Sequence, residues 1–364
     1  MGYTILSVGY PLTPVGEDAV GGSEQILSLL DRALVQSGHE SIVIAAEGSC
    51  VRGTLIVSPK ARGQIDESER RWARKVHKRL IQDALSIYPI DMIHMHSLDF
   101  HEYLPDTTAP ILATLHLPPD WYPPAVFRSE RKNLYLNCVS ASQHRQCPRS
   151  ARLLQPVPNG VDVARLNPQP TKRDYALALG RICPEKGFHF ALDAARKAGC
   201  DMLLAGEVFP YAEHQNYFQE EIVPRLDGRR RFIGPVGFNR KKRLLSEATC
   251  LLIPSTVQET SSLVAMEALA SGTPVIAFRS GALPEIVEHG RTGWIVSNAR
   301  EMARAIASVG KIRNEECVKS ASRYFSADQM VDRYVRLYAR LIAKNAGEQA
   351  PARATRGTSW LANW

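Results

Sequence analysis

Apolar positions recur along the chain in two alternating rhythms. Tyr3–Val8, Ser41–Ala46, Asp91–His96 and Ile111–Leu115 are short, nearly continuous apolar runs. Their length and content match strands buried on both faces. Between the first two, Ile26, Leu29, Leu30, Ala33 and Leu34 fall on one face of a helix over Ile26–Val35, and Gly38 closes it. The rhythm breaks at Gln155–Arg173, which carries Pro156, Pro158, Pro168 and Pro170 and few apolar residues, as a linker does. It then restarts with strands at Tyr175–Leu179, Asp201–Ala205, Arg231–Ile233, Cys250–Pro254 and Pro274–Phe278. Helices are predicted at Gly187–Ala198, Lys241–Ala248 and Ser261–Ala270. Strands alternating with helices imply βαβ units and parallel sheets. The expected class is α/β, with two such units joined by a hinge and ligands bound in the cleft between them. The boundaries are 1–163 for the first unit and 173–325 for the second. A long amphipathic helix follows at 326–344, with Met330, Val331, Tyr334, Leu337, Tyr338 and Leu341 on its apolar face. The Ala-, Arg-, Gly- and Thr-rich stretch 345–364 is expected to be disordered.

Composition narrows the class only slightly. A length of 364 residues suits two cores rather than one. No apolar run approaches the roughly 18–20 residues that span a bilayer. Met1–Val8 lacks the charged start and long apolar stretch of a signal peptide, and Leu6 breaks the myristoylation pattern that Gly2 raises. Seven scattered cysteines with no Cys-x-x-Cys pair argue against a zinc or redox motif and suit a reducing cytoplasm. A net charge of +8 fits an anionic substrate, an anionic membrane or nucleic acid. No nucleic-acid-binding motif or aromatic–basic interleaving supports the last. The most basic run, Arg70–Leu80, has Trp72, Val76 and Leu80 at helical spacing. It reads as a helix packed on the sheet with a solvated basic face, or as one docked on an anionic membrane at the inner face of the cell.

Two clusters carry chemistry. Between Ile253 and Val296, Pro254-Ser255-Thr256-Val257-Gln258-Glu259-Thr260-Ser261-Ser262 follows a strand and opens a helix that bears Glu267 and closes at Gly272-Thr273-Pro274. A helix start offers unpaired N–H groups and positive partial charge, which suit a diphosphate. A carboxylate in the preceding loop can accept hydrogen bonds from sugar hydroxyls, and one two turns on can hold a ribose diol. The second cluster, Leu179-Gly180-Arg181-Ile182-Cys183-Pro184-Glu185-Lys186-Gly187, sets two cations at a strand end beside glycines. Two cations suit a departing nucleoside diphosphate. His94 and His96 alternate along one strand face, but with no third ligand evident a metal is not expected.

Together these clusters resemble the retaining glycosyltransferases of family GT4, which have the GT-B fold. The resemblance rests on Gly180–Gly187, the pair Glu259 and Glu267, Glu267–Ala277, Gly281-x-x-Pro284-Glu285 and Gly290-x-x-Gly293. Pro158-Asn159-Gly160-Val161-Asp162 resembles that family's crossover segment, and Gly21-Gly22-Ser23-Glu24 its glycine-rich loop. The resemblance implies two Rossmann-like domains, the first for an acceptor and the second for a nucleotide sugar, with the last helix crossing back. It implies that Arg181 and Lys186 neutralise the diphosphate, Glu259 holds the donor sugar, Glu267 binds the ribose and His116 touches the transferred sugar. Gly21, Gly22, Gly180, Glu207, Thr260, Ser261, Ser262 and Leu263 complete the implied donor site. Ser261-Ser262 stands where many relatives carry Phe-Gly, which changes the loop's freedom. The chain has no Asp-x-Asp, so fixed cations and a helix dipole would replace a metal, and no cofactor beyond the nucleotide-sugar co-substrate is expected. UDP is the favoured nucleotide by its frequency in the family. Candidate acceptor loops are Tyr10–Ala19 and His116–Pro124, with Asp120, Trp121 and Tyr122 suited to a sugar face. The alternatives on the same scaffold are a nucleotide-sugar epimerase, a phosphorylase and a non-catalytic nucleotide-sugar-binding protein.

Overall fold

A computed structural model describes residues 2–60, 66–166 and 171–349. Part of the proline-rich linker and residues 350–364 of the tail lie outside the described residues. The chain builds two six-stranded sheets. The first contains β1 (Thr4–Val8), β2 (Glu40–Ala46), β3 (Thr54–Ser58), β4 (Met92–Met95), β5 (Ile111–Leu115) and β6 (Leu134–Cys138), in the order β3-β2-β1-β4-β5-β6. The second contains β7 (Ala176–Leu179), β8 (Met202–Ala205), β9 (Arg230–Phe232), β10 (Cys250–Ile253), β11 (Val275–Phe278) and β12 (Gly293–Val296), in the order β12-β11-β10-β7-β8-β9. Every pairing between these strands is parallel. Each sheet is doubly wound, and its order reverses between β1 and β4 or between β7 and β10, where such folds open a crevice.

The strands are short and apolar because both faces are covered. All residues of β1, β5 and β10 are buried. The Gly22–Gln36 helix lays Ile26, Leu30 and Leu34 on the first sheet. The long final helix, Ala327–Gln349, adds Met330, Tyr334, Leu337, Tyr338 and Leu341 to that same cluster, against Ile5, Leu112 and Tyr135. This helix, from the C-terminal part of the chain, therefore packs on the N-terminal sheet. The two passages between the units touch. Val161 N–H donates to Phe325 O at 2.8 Å, and Ala327 N–H donates to Val161 O at 2.9 Å. Gly160 permits the approach, since a Cβ there would lie 2.6 Å from Ser326 O.

Three expectations are corrected. The last helix does not stop at Lys344; it continues through Asn345 to Gln349. Ala346, Glu348 and Gln349 are good helix formers, and the Asn345 side chain is anchored on Thr108 O at 2.8 Å. The basic helix spans Glu67–Ile87, and its buried stripe is Glu69, Ala73, His77, Ile81 and Ala84 rather than Trp72, Val76 and Leu80. His77 belongs to the core because both ring nitrogens are bonded, to Ser58 Oγ at 3.1 Å and Gly9 O at 3.2 Å. The third correction concerns the helix after β10. It begins at Leu263, with Ser262 in the extended cap position, so Ser261 precedes the helix altogether.

Candidate functional site

The loops leaving β7 and β10 meet at the switch point of the second sheet. After β7 the chain turns through Gly180 and Arg181 into the short turn Pro184–Lys186. That turn ends at Gly187, whose φ of +62° and close approach to Pro254 O (2.4 Å from a Cβ placed there) both exclude a side chain. The two loops are also stitched together, Thr256 N–H donating to Glu185 O at 2.9 Å. As a result Lys186 Nζ lies 2.7 Å from Glu259 Oε1. Glu259 is buried, and its backbone is clamped from behind by Gly281. Ala282 N–H donates to Glu259 O at 2.7 Å, and a Cβ on Gly281 would fall 2.1 Å from that oxygen. The glycine of Gly281-x-x-Pro284-Glu285 thus sets where Glu259 points.

Glu267 faces a partner that local sequence does not signal. Lys241 Nζ donates to Glu267 Oε1 at 2.6 Å, and the two side chains are only 10% and 9% exposed. Both line a recess of about 70 Å³ together with Leu263, Phe238, Ile26 and Arg32. Between the two carboxylates, the Leu263–Ala270 helix starts with no side-chain cap on its first amides. Ser261 Oγ is buried there without a hydrogen-bond partner. Thr260 reaches across the cleft, its hydroxyl donating to His116 O at 2.8 Å.

The first unit supplies the opposite wall. The Gly22–Gln36 helix also starts without a side-chain cap, and Gly22 faces Leu263, whose Cδ1 would be 3.4 Å from a Cβ at that position. Two uncapped helix starts thus confront each other. Glu24 folds back over Gly21, where a Cβ would collide with its Oε2 at 1.9 Å. Burial pushes the Glu24 carboxyl up from its ordinary value, partly offset by the Ser23 hydroxyl and by the Arg181 guanidinium across the cleft. Glu24 lies in the quoted loop but was not singled out as a site residue. Arg181 is exposed, and Gly180 and Glu207 are half-buried beside it, with Ile182 N–H donating to Glu207 O at 2.9 Å.

His116 follows β5 and stands at the cleft end of a column of histidines. Its Nε2 is 3.1 Å from His96 Nδ1, and the His96 ring lies 3.9 Å from that of His94. His94 in turn is bonded to Tyr338 OH at 2.6 Å and Thr114 Oγ1 at 2.7 Å. Thr114 Oγ1 donates to Asn137 Oδ1, so it accepts from His94 Nε2, which fixes the neutral tautomer. Burial lowers the pKa of all three histidines, that of His116 to about 4. The His94 nitrogens and His96 Nδ1 serve this column, and His96 Nε2 is unpartnered. Of the aromatic acceptor candidates, Trp121 is half exposed. Tyr122 is buried and receives the His116 and Leu117 N–H groups on its hydroxyl, which makes it a support for the His116 loop rather than a sugar platform.

A larger cavity, about 230 Å³, lies between the units, lined by Val139, Ser140, Ser261, Met266, Glu285 and Arg333 among others. Arg181, Lys186 and Glu259 are not in its wall. Ion pairs and caps hold the cleft across this region. Glu285 Oε2 accepts from Ala141 N–H at 3.1 Å and Oε1 from Arg145 at 3.0 Å. Asp18 accepts from Phe238 N–H, the first amide of the Phe238–Glu247 helix, at 2.7 Å.

This architecture has known counterparts. Residues 173–311 match the family model described as Glycosyl transferases group 1. The chain superposes on AviGT4, a glycosyltransferase involved in avilamycin A biosynthesis, with a TM-score of 0.73 and 25% identity over 94% of this chain and 98% of that one. The fold is GT-B. A second GT-B neighbour, Anabaena Alr3699/HepE in complex with UDP and glucose, superposes with a TM-score of 0.72 and 18% identity, covering 93% of this chain and 99% of that chain. Among curated relatives, the putative colanic acid biosynthesis glycosyltransferase WcaL of Escherichia coli K12 is 26% identical over 49% of this chain. The match spans 46% of that relative, so the chain covers about half of that relative's length. The family match lies in the second GT-B unit, which contains the Lys186–Glu259 and Lys241–Glu267 pairs.

Proposed function

We propose that this protein transfers a sugar from a nucleoside diphosphate sugar, with UDP favoured, to an acceptor hydroxyl with retention of anomeric configuration. The acceptor is a glycan, a lipid-linked saccharide or a small glycoside. The observation that carries the reading is the Lys186–Glu259 pair at the β7/β10 switch point, with Arg181 on the same loop as Lys186 and two uncapped helix starts facing each other beside it. Such a place suits a diphosphate on physical grounds alone. The matched family and the two GT-B neighbours support the same substrate class.

In this reading the diphosphate lies between the amides at Gly21–Gly22 and those at Ser262–Leu263. As the anomeric C–O bond breaks, its electron pair moves to the diphosphate oxygen. Arg181 and Lys186 stabilise that charge without a catalytic metal. Glu259 accepts hydrogen bonds from the sugar's hydroxyls and keeps Lys186 aimed. Glu267 holds the ribose in its recess with Lys241 behind it, and Glu207 lies toward the nucleoside. Neutral His116 lies against the transferred sugar and cannot add a positive charge where an oxocarbenium-like centre develops. The acceptor hydroxyl attacks on the face the diphosphate leaves, and its proton departs with a phosphate oxygen. Glu259→Gln and Lys186→Ala should each lower kcat at least about a hundredfold while leaving the fold intact. Product anomers read by NMR test retention. An inverted product, or unaltered turnover in both variants, would overturn the assignment. Conversion of the donor without any acceptor would instead indicate an epimerase.

The exposed face of the Glu67–Ile87 helix supports a peripheral contact with anionic membrane, through Arg70, Arg71, Lys75, Lys78 and Arg79. Among the described residues, no helix is long and apolar enough to cross a membrane. Co-sedimentation with anionic vesicles that disappears at high salt is the expected result. Equal recovery with neutral vesicles would refute the contact.

A further inference from the structure

In the diphosphate-side loop, the fold brings two neighbouring groups together with a third that is distant in sequence. Cys183 and Glu185 flank Pro184 in the turn after β7, and His214 comes from the Ala212–Tyr217 helix after β8. One ligand-type atom from each lies within 4.8 Å of the others. Cys183 and His214 are 2% and 9% exposed. Two of the polar atoms here, Glu185 Oε2 and His214 Nδ1, are buried with no hydrogen-bond partner. Buried polar atoms are as a rule hydrogen-bonded, so two unpaired ones in one cluster call for a common partner. The Cys183 thiol lies 3.6 Å from Arg181 O and also interacts with the Glu185 carboxylate.

We propose that Cys183, Glu185 and His214 bind a divalent cation of the zinc type, which ties the loop carrying Arg181 and Lys186 to the Ala212–Tyr217 helix. The donor set decides the metal class. A thiolate and an imidazole with one carboxylate select zinc-like ions, whereas magnesium and calcium take oxygen cages. Ligand bonds of about 2.0–2.3 Å place tetrahedral ligand atoms roughly 3.5 Å apart, within a small side-chain rotation of the observed spacing. Thiolate and carboxylate together neutralise the ion, so it adds no net charge beside Arg181 and Lys186. Binding releases the thiol proton to solvent and leaves a fourth position for water. The absence of a Cys-x-x-Cys motif hid the set, because one ligand arrives from a separate helix. The cation here is a tether for the loop and takes no part in bond breaking. Its binding does not depend on the donor assignment above.

The test uses the full chain, freed of metal with a chelator and titrated with cobalt(II) alone, then zinc(II). The expected result is one equivalent bound with a thiolate-to-cobalt charge-transfer band in the near ultraviolet, displaced by zinc and untouched by magnesium. The band disappears in Cys183→Ser, and affinity falls at least about tenfold in His214→Gln. The metal-free variants should match the metal-free wild type in near-ultraviolet circular dichroism; His214→Gln carries the test if Cys183→Ser does not. A band that persists in Cys183→Ser would place the metal on another cysteine and overturn the site. So would failure of the wild type to bind cobalt, or affinity unchanged in His214→Gln.

Discussion

Two lysine–carboxylate pairs of nearly equal length play different parts. Lys186–Glu259 is partly open, with Lys186 27% exposed, so Lys186 can exchange its partner for a ligand. Lys241–Glu267 is closed in on both sides. Removing one member of a buried pair strands the other's charge, at about 3 kcal/mol or more. Lys241→Met should therefore lower stability by that order in denaturant titration. The double variant Lys241→Met with Glu267→Gln should recover most of it, since no bare charge remains. Additive losses would show that the two do not act as a pair. The histidines give a pH signature. His77 and His116 are both held near 4 by burial, below the ordinary 6.5, so between these values the unfolded chain binds more protons. Stability from these groups is complete above about pH 6.5 and is lost as pH falls through 4, by about 3 kcal/mol per group at most. Denaturant midpoints measured from pH 7 to pH 4.5 should fall, and less steeply in His116→Gln. At this scale the sequence exposed Lys186 and Glu259, because their motifs are local. It did not expose Lys241, Glu24 or His214, whose meaning depends on neighbours brought by the fold.

Among the elements, the Leu263–Ala270 helix carries most of the argument. Its extended cap residue, bare first amides and facing glycine loop form the proposed diphosphate seat, and Gly281 locks the loop before it. Gly281→Ala would force a Cβ into the Glu259 backbone at a φ of +49°. The expected outcome is a loss of activity comparable to Glu259→Gln with only a modest change in melting temperature; wild-type kinetics would contradict this positioning role. On the basic helix, replacing Lys75, Lys78 and Arg79 by Glu should change stability by less than about 0.5 kcal/mol each while abolishing vesicle binding. The apolar runs located β1, β5 and β10 closely because both faces of those strands are buried. No strand is predicted at β3, a half-exposed edge, or at β6 and β12. The basic helix was found but rotated by one residue, because a satisfied histidine read as polar.

For the whole molecule, two α/β units followed from the repeated strand–helix rhythm and the proline-rich break, and the GT-B arrangement from the family resemblance. The way the units close did not, since it rests on isolated polar contacts. Asp18 caps a helix of the opposite unit, Thr260 bonds His116 O, and Glu285 holds Ala141 and Arg145. These are exposed or partly exposed contacts, individually worth about 1 kcal/mol or less, which suits a cleft that must open for product release. Asp18→Ala combined with Glu285→Ala should enlarge the radius of gyration in solution scattering and raise the donor KM more than it lowers kcat.

The central claim is that a nucleotide sugar sits on Arg181, Lys186 and Glu259. Calorimetric titration of wild type and Lys186→Ala with UDP, GDP and ADP tests it most directly. The account predicts one site on the wild type with a clear preference among the three nucleotides, and affinity at least about tenfold weaker in the variant. Equal affinity in both proteins, or no binding to well-folded wild type, would contradict it.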